Sequence, residues 1–199
     1  MKSGTIIRAV IFGCLMASMP ALAQRSKVVN LLSNPGFELG TGIAAQDWIT
    51  SDEEGAVRET TKAYGYTLGN KTFPDGDYAL KLFTRSAMFS QGPIKVSEHR
   101  NYIIRGMFYH SSKQDRIAQD ALSQRGFLRI EWFDEHQHLL REDYTENHNG
   151  LSPADKWVPI EQIFVSPASA VTAVVHVQAH GDVRGGSVFA DDILFGLLP

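Results

Sequence analysis

Short segments that alternate apolar and polar residues recur along this chain and constrain its fold more than any other feature. A period of two is typical of a strand with one face buried and the other in solvent. The clearest segments are 78–83, 102–109, 127–133, 160–165, 171–179 and 187–195. Turn-forming residues separate them, for example at 74–77 and 185–186. This spacing predicts an all-β sandwich or barrel.

Only residues 113–124 have a helical pattern, because Ile117, Ala118, Ala121 and Leu122 recur at three- and four-residue spacing. We expect one short helix, inserted between two strands. No internal repeat, low-complexity tract or linker is visible in the sequence. The pattern therefore predicts a single domain over residues 24–199.

The first 23 residues have the features of a secretory signal peptide. Lys2 and Arg8 give a basic start, an apolar run covers 9–19, and residues 21–23 form a small-x-small cleavage site. An uncut membrane anchor is the alternative, but the run is shorter than the roughly 20 residues of a spanning helix. We therefore expect residues 1–23 to be removed and the protein to be exported, periplasmic or extracellular.

Composition excludes several sources of stability and several partners. The one cysteine, Cys14, lies in the segment expected to be removed, so the mature chain has no disulfide and relies on its core, bound ions or both. The mature chain has a mildly acidic balance and no basic cluster. We expect neither nucleic acid nor, after signal removal, a membrane as its partner.

Motifs near both ends of the chain resemble the CenC-type carbohydrate-binding modules. The opening motif is Asn-Leu-Leu-Ser-Asn-Pro-Gly-Phe-Glu at 30–38, and the closing one is Val-Phe-Ala-Asp-Asp-Ile at 188–193; Gly76 to Leu82 also matches a strand of that family. The resemblance implies a galactose-binding-domain-like jelly roll. This is a β-sandwich of two antiparallel sheets with its chain ends adjacent. It also implies non-catalytic binding of a polysaccharide or cell-surface glycan.

The same resemblance implies a structural calcium ion, with Glu38 and Asp191 among its ligands. Calcium prefers about six to eight oxygen ligands, and tying both chain ends together would stabilise a sandwich without disulfides. The alternative is that Glu38 is a surface residue and that Asp191 and Asp192 form a solvated edge.

Alternation also predicts which strand side chains point away from the core. Aromatic rings can stack on a pyranose, and planar polar groups can bind its hydroxyls. The candidate carbohydrate-binding residues are Arg105, Tyr109, Arg129, Glu131, His176 and Gln178. The alternative is an ordinary polar outer face, which many antiparallel sheets have, on strands that need not belong to the same sheet. With Lys81, the basic residues in this set favour an acidic glycan such as a uronate polymer.

Other readings of the chain remain open. Loop aromatics (Tyr64, Tyr66, Phe73 and Tyr144) form a second possible site, whereas the three tryptophans match core positions of the family. A jelly-roll polysaccharide lyase using Tyr109, His176 and Arg129 is the enzymatic alternative, and a structural or adhesive protein-binding sandwich is the third. His136 and His138 fall in a predicted turn, and we expect no metal there.

Overall fold

In the computed structural model, every regular element of the described residues is a β-strand. The described residues are 28–50, 56–60, 73–82, 87–111, 124–149, 151–181 and 187–199. The expected signal peptide lies outside them, as does the expected helix except for Gln124, which begins β8. The strands are β1 (Gly40–Thr41), β2 (Ala44–Ala45), β3 (Ile49–Thr50), β4 (Ala56–Thr60), β5 (Tyr78–Leu82), β6 (Met88–Lys95), β7 (Asn101–Tyr109), β8 (Gln124–Phe133), β9 (Leu139–Tyr144), β10 (Val158–Val165), β11 (Thr172–Gly181) and β12 (Val188–Leu197).

Two five-stranded antiparallel sheets pack against each other. Sheet I has the strand order β10-β7-β12-β5-β4, and sheet II has the order β3-β6-β11-β8-β9. β1 and β2 form a separate two-stranded pair. The predicted jelly-roll sandwich is therefore confirmed, and in the described part of the chain no helix is long and apolar enough to cross a membrane.

The core between the sheets includes the residues that alternate with the predicted outward-facing ones. On β7, Ile104 and Phe108 are fully buried, and on β8 the same holds for Leu128, Ile130 and Trp132. Full burial of one such side chain contributes about 1.5–3 kcal/mol to folding. The inward prediction for these strands is confirmed, so the opposite residues on each strand face away from the core.

The opening segment is fixed to the closing strand. The Asn30 side chain donates to the carbonyl oxygen of Ile193 at 2.8 Å and accepts from the N–H of Phe195 at 3.1 Å. The N–H of Leu31 binds the Phe195 carbonyl oxygen at 2.8 Å. The two ends of the domain therefore lie side by side, as the resemblance implied.

Candidate functional site

The six residues predicted to bind carbohydrate do not form one cluster. Arg105 and Tyr109 belong to β7 in sheet I, whereas Arg129, Glu131, His176 and Gln178 belong to β8 and β11 in sheet II. The outer faces of the two sheets lie on opposite sides of the sandwich. The structure therefore divides the predicted site into two parts.

The prediction that Tyr109 is an exposed binding residue is wrong. It faces away from the main core, but only 2% of it is exposed, because it packs in a second cluster with Phe73 and Phe189. Its ring centre lies 5.5 Å from that of Trp157, which partly covers it. Trp157 thus belongs to this outer cluster and not to the main core, whereas Trp48 and Trp132 are core residues as expected.

Arg105 lies outside the remaining cluster as well. Its guanidinium Nη2 is 3.3 Å from the Asp192 carboxylate, and both side chains are more than a third exposed. An exposed ion pair of this kind contributes about 0–1 kcal/mol to stability. The sequence-based grouping of Arg105 with Arg129 is therefore wrong, since two different sheets carry these residues.

Strand register brings the other four residues together on the outer face of sheet II. Ser90, His176, Arg129 and Tyr144 are paired in one row across β6, β11, β8 and β9. Gln178 lies in the neighbouring row, with Met88 and Phe127. Glu131 lies on the other side of the first row, directly opposite Glu142 of β9.

Arg129 is held between two carboxylates. Its Nη2 is 3.0 Å from Glu131 Oε1, and its Nη1 is 3.3 Å from Glu142 Oε1. The three side chains are only 16%, 19% and 33% exposed, so solvent screens them incompletely. Two negative groups and one positive group give this part of the face a net negative charge.

His176 joins this ion-pair network to β6. Its Nδ1 lies 2.7 Å from Ser90 Oγ, and its Nε2 lies 3.1 Å from Glu131 Oε2, although the latter contact is poorly aligned for a hydrogen bond. Burial lowers the pKa of His176, and nearby Arg129 lowers it further, while Glu131 acts in the opposite direction. His176 is therefore neutral at neutral pH, and its hydrogen bond to Ser90 Oγ connects it to β6.

An aromatic platform borders this network. Tyr144 is 48% exposed, and its ring centre lies 6.0 Å from that of the buried Phe127. Its hydroxyl donates to Glu142, a bond that raises the pKa of Tyr144 and keeps the phenol protonated. Sequence reasoning placed Tyr144 in a loop; it is the last residue of β9, so it extends the sheet face instead.

A pocket of about 400 Å³ opens next to Tyr144. Its lining residues are Phe127, Arg129, Tyr144, Thr145, Asn147, Gln178 and His180. Two buried polar atoms of this lining, Arg129 Nε and Gln178 Oε1, have no hydrogen-bond partner among the described residues. Leaving a buried donor or acceptor unpaired costs about 1–3 kcal/mol.

The two predicted calcium ligands both accept hydrogen bonds from the segment 75–78, where β5 begins. The Glu38 carboxylate accepts N–H bonds from Asp77 at 3.0 Å and from Tyr78 at 2.8 Å. Arg58 donates to the carbonyl oxygens of Phe37 and Glu38, at 2.5 and 2.6 Å. In the described residues, no three His, Cys, Asp or Glu side chains converge as a metal site would require.

Asp191 is the most buried charged residue of this region. Its carboxylate accepts N–H bonds from Asp75 at 3.0 Å and from Asp192 at 2.7 Å, and it is fully buried. Burial raises the pKa of Asp191 to about 8, and the acidic neighbours Asp75 and Asp192 add to the increase. The site has carboxylate oxygens, which calcium prefers, and a bound cation would stabilise the ionised form of Asp191, which burial disfavours.

The His136 and His138 side chains lie on the predicted turn between β8 and β9, and they are 70% and 75% exposed. Asp134 holds the turn by accepting from the N–H groups of both residues, which lowers its pKa. Their interpretation as solvent-exposed turn residues is confirmed.

Comparison with solved structures identifies the architecture. TmCBM61, solved in complex with β-1,4-galactotriose, is 16% identical with a TM-score of 0.56, and the match covers 85% of this chain and 99% of that one. The CBM22-1 xylan-binding domain of Paenibacillus barcinonensis Xyn10C is 15% identical with a TM-score of 0.54, over 86% of this chain and 96% of that one.

The enzymatically active domain of a bacteriophage CBA120 tailspike protein also matches, at 14% identity and a TM-score of 0.54, over 84% of this chain but 21% of that one. No known protein family matches the sequence, and no curated protein matches it either. The similarity is therefore one of fold: this chain has the jelly-roll β-sandwich fold seen in carbohydrate-binding modules.

Proposed function

We propose that this protein binds a polysaccharide or cell-surface glycan without altering it, through the outer face of sheet II. The observation that carries this proposal is the pocket of about 400 Å³ beside the half-exposed Tyr144 ring, which Asn147, Gln178 and His180 line with polar side chains. Sugar hydroxyls both accept and donate hydrogen bonds, and so can pair with the amide and imidazole groups of this lining. The half-exposed ring of Tyr144 can stack on the apolar face of the same sugar.

The charges favour a neutral glycan over the acidic one expected from the sequence. Glu131 and Glu142 already neutralise Arg129 and leave an excess negative charge. A uronate carboxylate in the pocket would be repelled by both glutamates. Two of the similar structures are a complex with β-1,4-galactotriose and a xylan-binding domain, which supports a glycan ligand here.

The lyase alternative is weakened by the same geometry. Its trio of Tyr109, His176 and Arg129 does not converge, because Tyr109 is buried on the opposite side of the sandwich. Tyr144 does share a face with His176 and Arg129, but the two glutamates disfavour the uronate that β-elimination requires. A binding role without catalysis therefore explains more of the site.

Three further parts of the proposal concern the whole protein. We infer a relationship to the CenC-type modules from the end motifs and from the fixed chain ends. Export through cleavage after residue 23 is supported by the basic and apolar start of the sequence. Calcium binding at Glu38 and Asp191 is supported by the buried carboxyl of Asp191, which a cation would keep ionised and which otherwise has only N–H partners.

The test is retention of residues 24–199 on galactan, xylan and polygalacturonate, while the ultraviolet absorbance of an unsaturated product is monitored. We expect retention on a neutral polymer, without new absorbance, and its loss in Arg129→Ala and Gln178→Ala. Arg105→Ala is the matched control, because it removes an arginine from the opposite face and should retain binding. New absorbance would make the protein a lyase, and equal loss in the control would exclude sheet II as the site.

A further inference from the structure

A pair of buried histidines lies behind the pocket. His110 Nδ1 and His148 Nε2 are 2.8 Å apart, and their ring centres are 4.9 Å apart. The two residues are 0% and 1% exposed. The His148 ring also stacks on Phe108 of the main core, with a centroid distance of 6.1 Å. Neither glycan stacking nor the ion-pair network uses this pair.

His148 belongs to the segment that forms one side of the pocket, which we call the pocket wall (residues 145–149). Thr145 and Asn147 of this wall line the pocket. The wall is fixed to β8 by reciprocal backbone bonds between His148 and Gly126, both 2.8 Å, and by the N–H of Thr145 to Leu128 at 3.0 Å. The position of the pocket lining therefore depends on His148 staying buried.

A protonated His148 does not fit this environment. An imidazolium has two N–H donors, but His148 Nδ1 is buried and has no partner in the described part of the chain, while Nε2 faces His110. Among the described residues, the titratable group that faces His148 is His110, directly after β7, and the N–H of Asp155 binds the His110 carbonyl oxygen at 2.9 Å. Glu146, the remaining charged residue of the wall, is exposed.

Burial, and to a smaller degree His110, lowers the pKa of His148 to about 3. In an opened wall the same ring would titrate near its ordinary value of about 6.5. The open form therefore binds a proton more readily. The closed wall is fully stable above about pH 6.5 and loses stability as the pH falls below about 6.5. At about pH 5 the closed-to-open ratio is about 30-fold lower than at about pH 7.5.

We propose that the His110–His148 pair is an acid-sensitive latch, so that mild acid opens the pocket wall and releases the bound glycan. The release of glycan rests on the proposed function, whereas the opening of the wall does not. Protonation of His176 is a competing cause of acid release, because that histidine lies in the binding face itself. An experiment on the latch must therefore follow the wall directly.

Amide hydrogen exchange on the free protein reports wall opening without any ligand. After correction for intrinsic exchange rates, we expect the protection of the Thr145 and His148 amides to fall about 30-fold between about pH 7.5 and about pH 5. The amide of Val177 in β11 serves as the internal reference. Equal protection of the wall amides at both pH values would contradict the latch proposal. The measurement uses the wild-type protein alone, so it does not depend on whether a variant folds.

His148→Gln tests the cause, because a glutamine amide nitrogen can replace Nε2 and keep the bond to His110 without becoming charged. We expect this variant to keep its wall protection at about pH 5. His138→Gln, which removes an exposed histidine, should behave like the wild type. If His148→Gln loses protection as the wild type does, another group causes the opening and the proposal is wrong.

Glycan retention on the same proteins tests the coupling. The wild type should release a neutral polymer at about pH 5, and His148→Gln should retain it. Retention by the wild type despite an open wall would overturn the coupling. If no polymer is retained at about pH 7.5, the proposed function fails, but the exchange measurement still decides whether the latch exists.

Discussion

Because Asp191 is buried, we predict that the stability of the fold decreases as the pH rises. Burial raises the pKa of its carboxyl to about 8 in the folded protein, against an ordinary value of 3.8. Between these two values the folded state binds more protons than the unfolded state does. The free energy of unfolding therefore falls as the pH rises from 3.8, and it levels off above 8.

The size of the effect follows from the same values. A full proton difference changes the free energy of unfolding by about 1.4 kcal/mol per pH unit. Over a window from about pH 6.5 to about pH 8.5 the carboxyl changes from mostly protonated to mostly ionised, so the loss is about 2 kcal/mol. The buried His148 contributes little here, because its acid-linked loss lies below about pH 6.5.

The assay is urea unfolding of chelator-treated protein, followed by tryptophan fluorescence, at both ends of this window. Asp191→Asn removes the titrating group and should flatten the profile. Added calcium should also flatten the profile of the wild type, because it binds the ionised carboxylate and offsets the loss of unfolding free energy. A flat or rising profile without metal would refute the argument from burial, and an unchanged profile with calcium would refute the calcium proposal.

Three further substitutions test the site and the fold. Tyr144→Ala should weaken glycan binding about 10-fold, as measured by calorimetry, whereas Tyr144→Phe should retain the stacking and most of the affinity. An equal loss of affinity in both variants would exclude stacking. Asn30→Ala should lower the free energy of unfolding by about 1–3 kcal/mol, since it leaves the N–H of Phe195 unpaired; unchanged urea unfolding would contradict this. Gly76→Ala should lower the free energy of unfolding by more than about 1 kcal/mol, because the φ of Gly76 is 63° and an added Cβ would overlap the Glu38 carboxylate. A midpoint of thermal unfolding equal to that of the wild type would contradict this and show that the turn can relax.

Alternation was sufficient to predict the buried faces of β7, β8 and β11, because successive strand residues point to opposite sides wherever the pairing is regular. It could not predict which strands share a sheet. Pairing of β11 with β8, and of β12 with β7, joins segments that are far apart in the sequence. For this reason Arg105 and Arg129 looked like neighbours in the pattern and lie on opposite faces in the structure.

The remaining errors have local causes. The cover over Tyr109 comes from Phe73 and Trp157, which are distant in sequence, so no strand pattern can reveal it. The strand β9 was missed because Leu139–Tyr144 contains three charged residues and does not alternate clearly. It contributes Glu142 and Tyr144, and with them both the second partner of Arg129 and the aromatic platform.

The side-by-side chain ends have a mechanical consequence. Force applied between the two ends acts first on the contacts of the opening segment with β12, which Asn30 and Leu31 provide. Because the ends leave the domain together, such a load separates these bonds one after another and does not shear them all at once. We therefore expect the first yielding step under tension to detach the opening segment, while the pocket on sheet II stays assembled and able to hold its ligand.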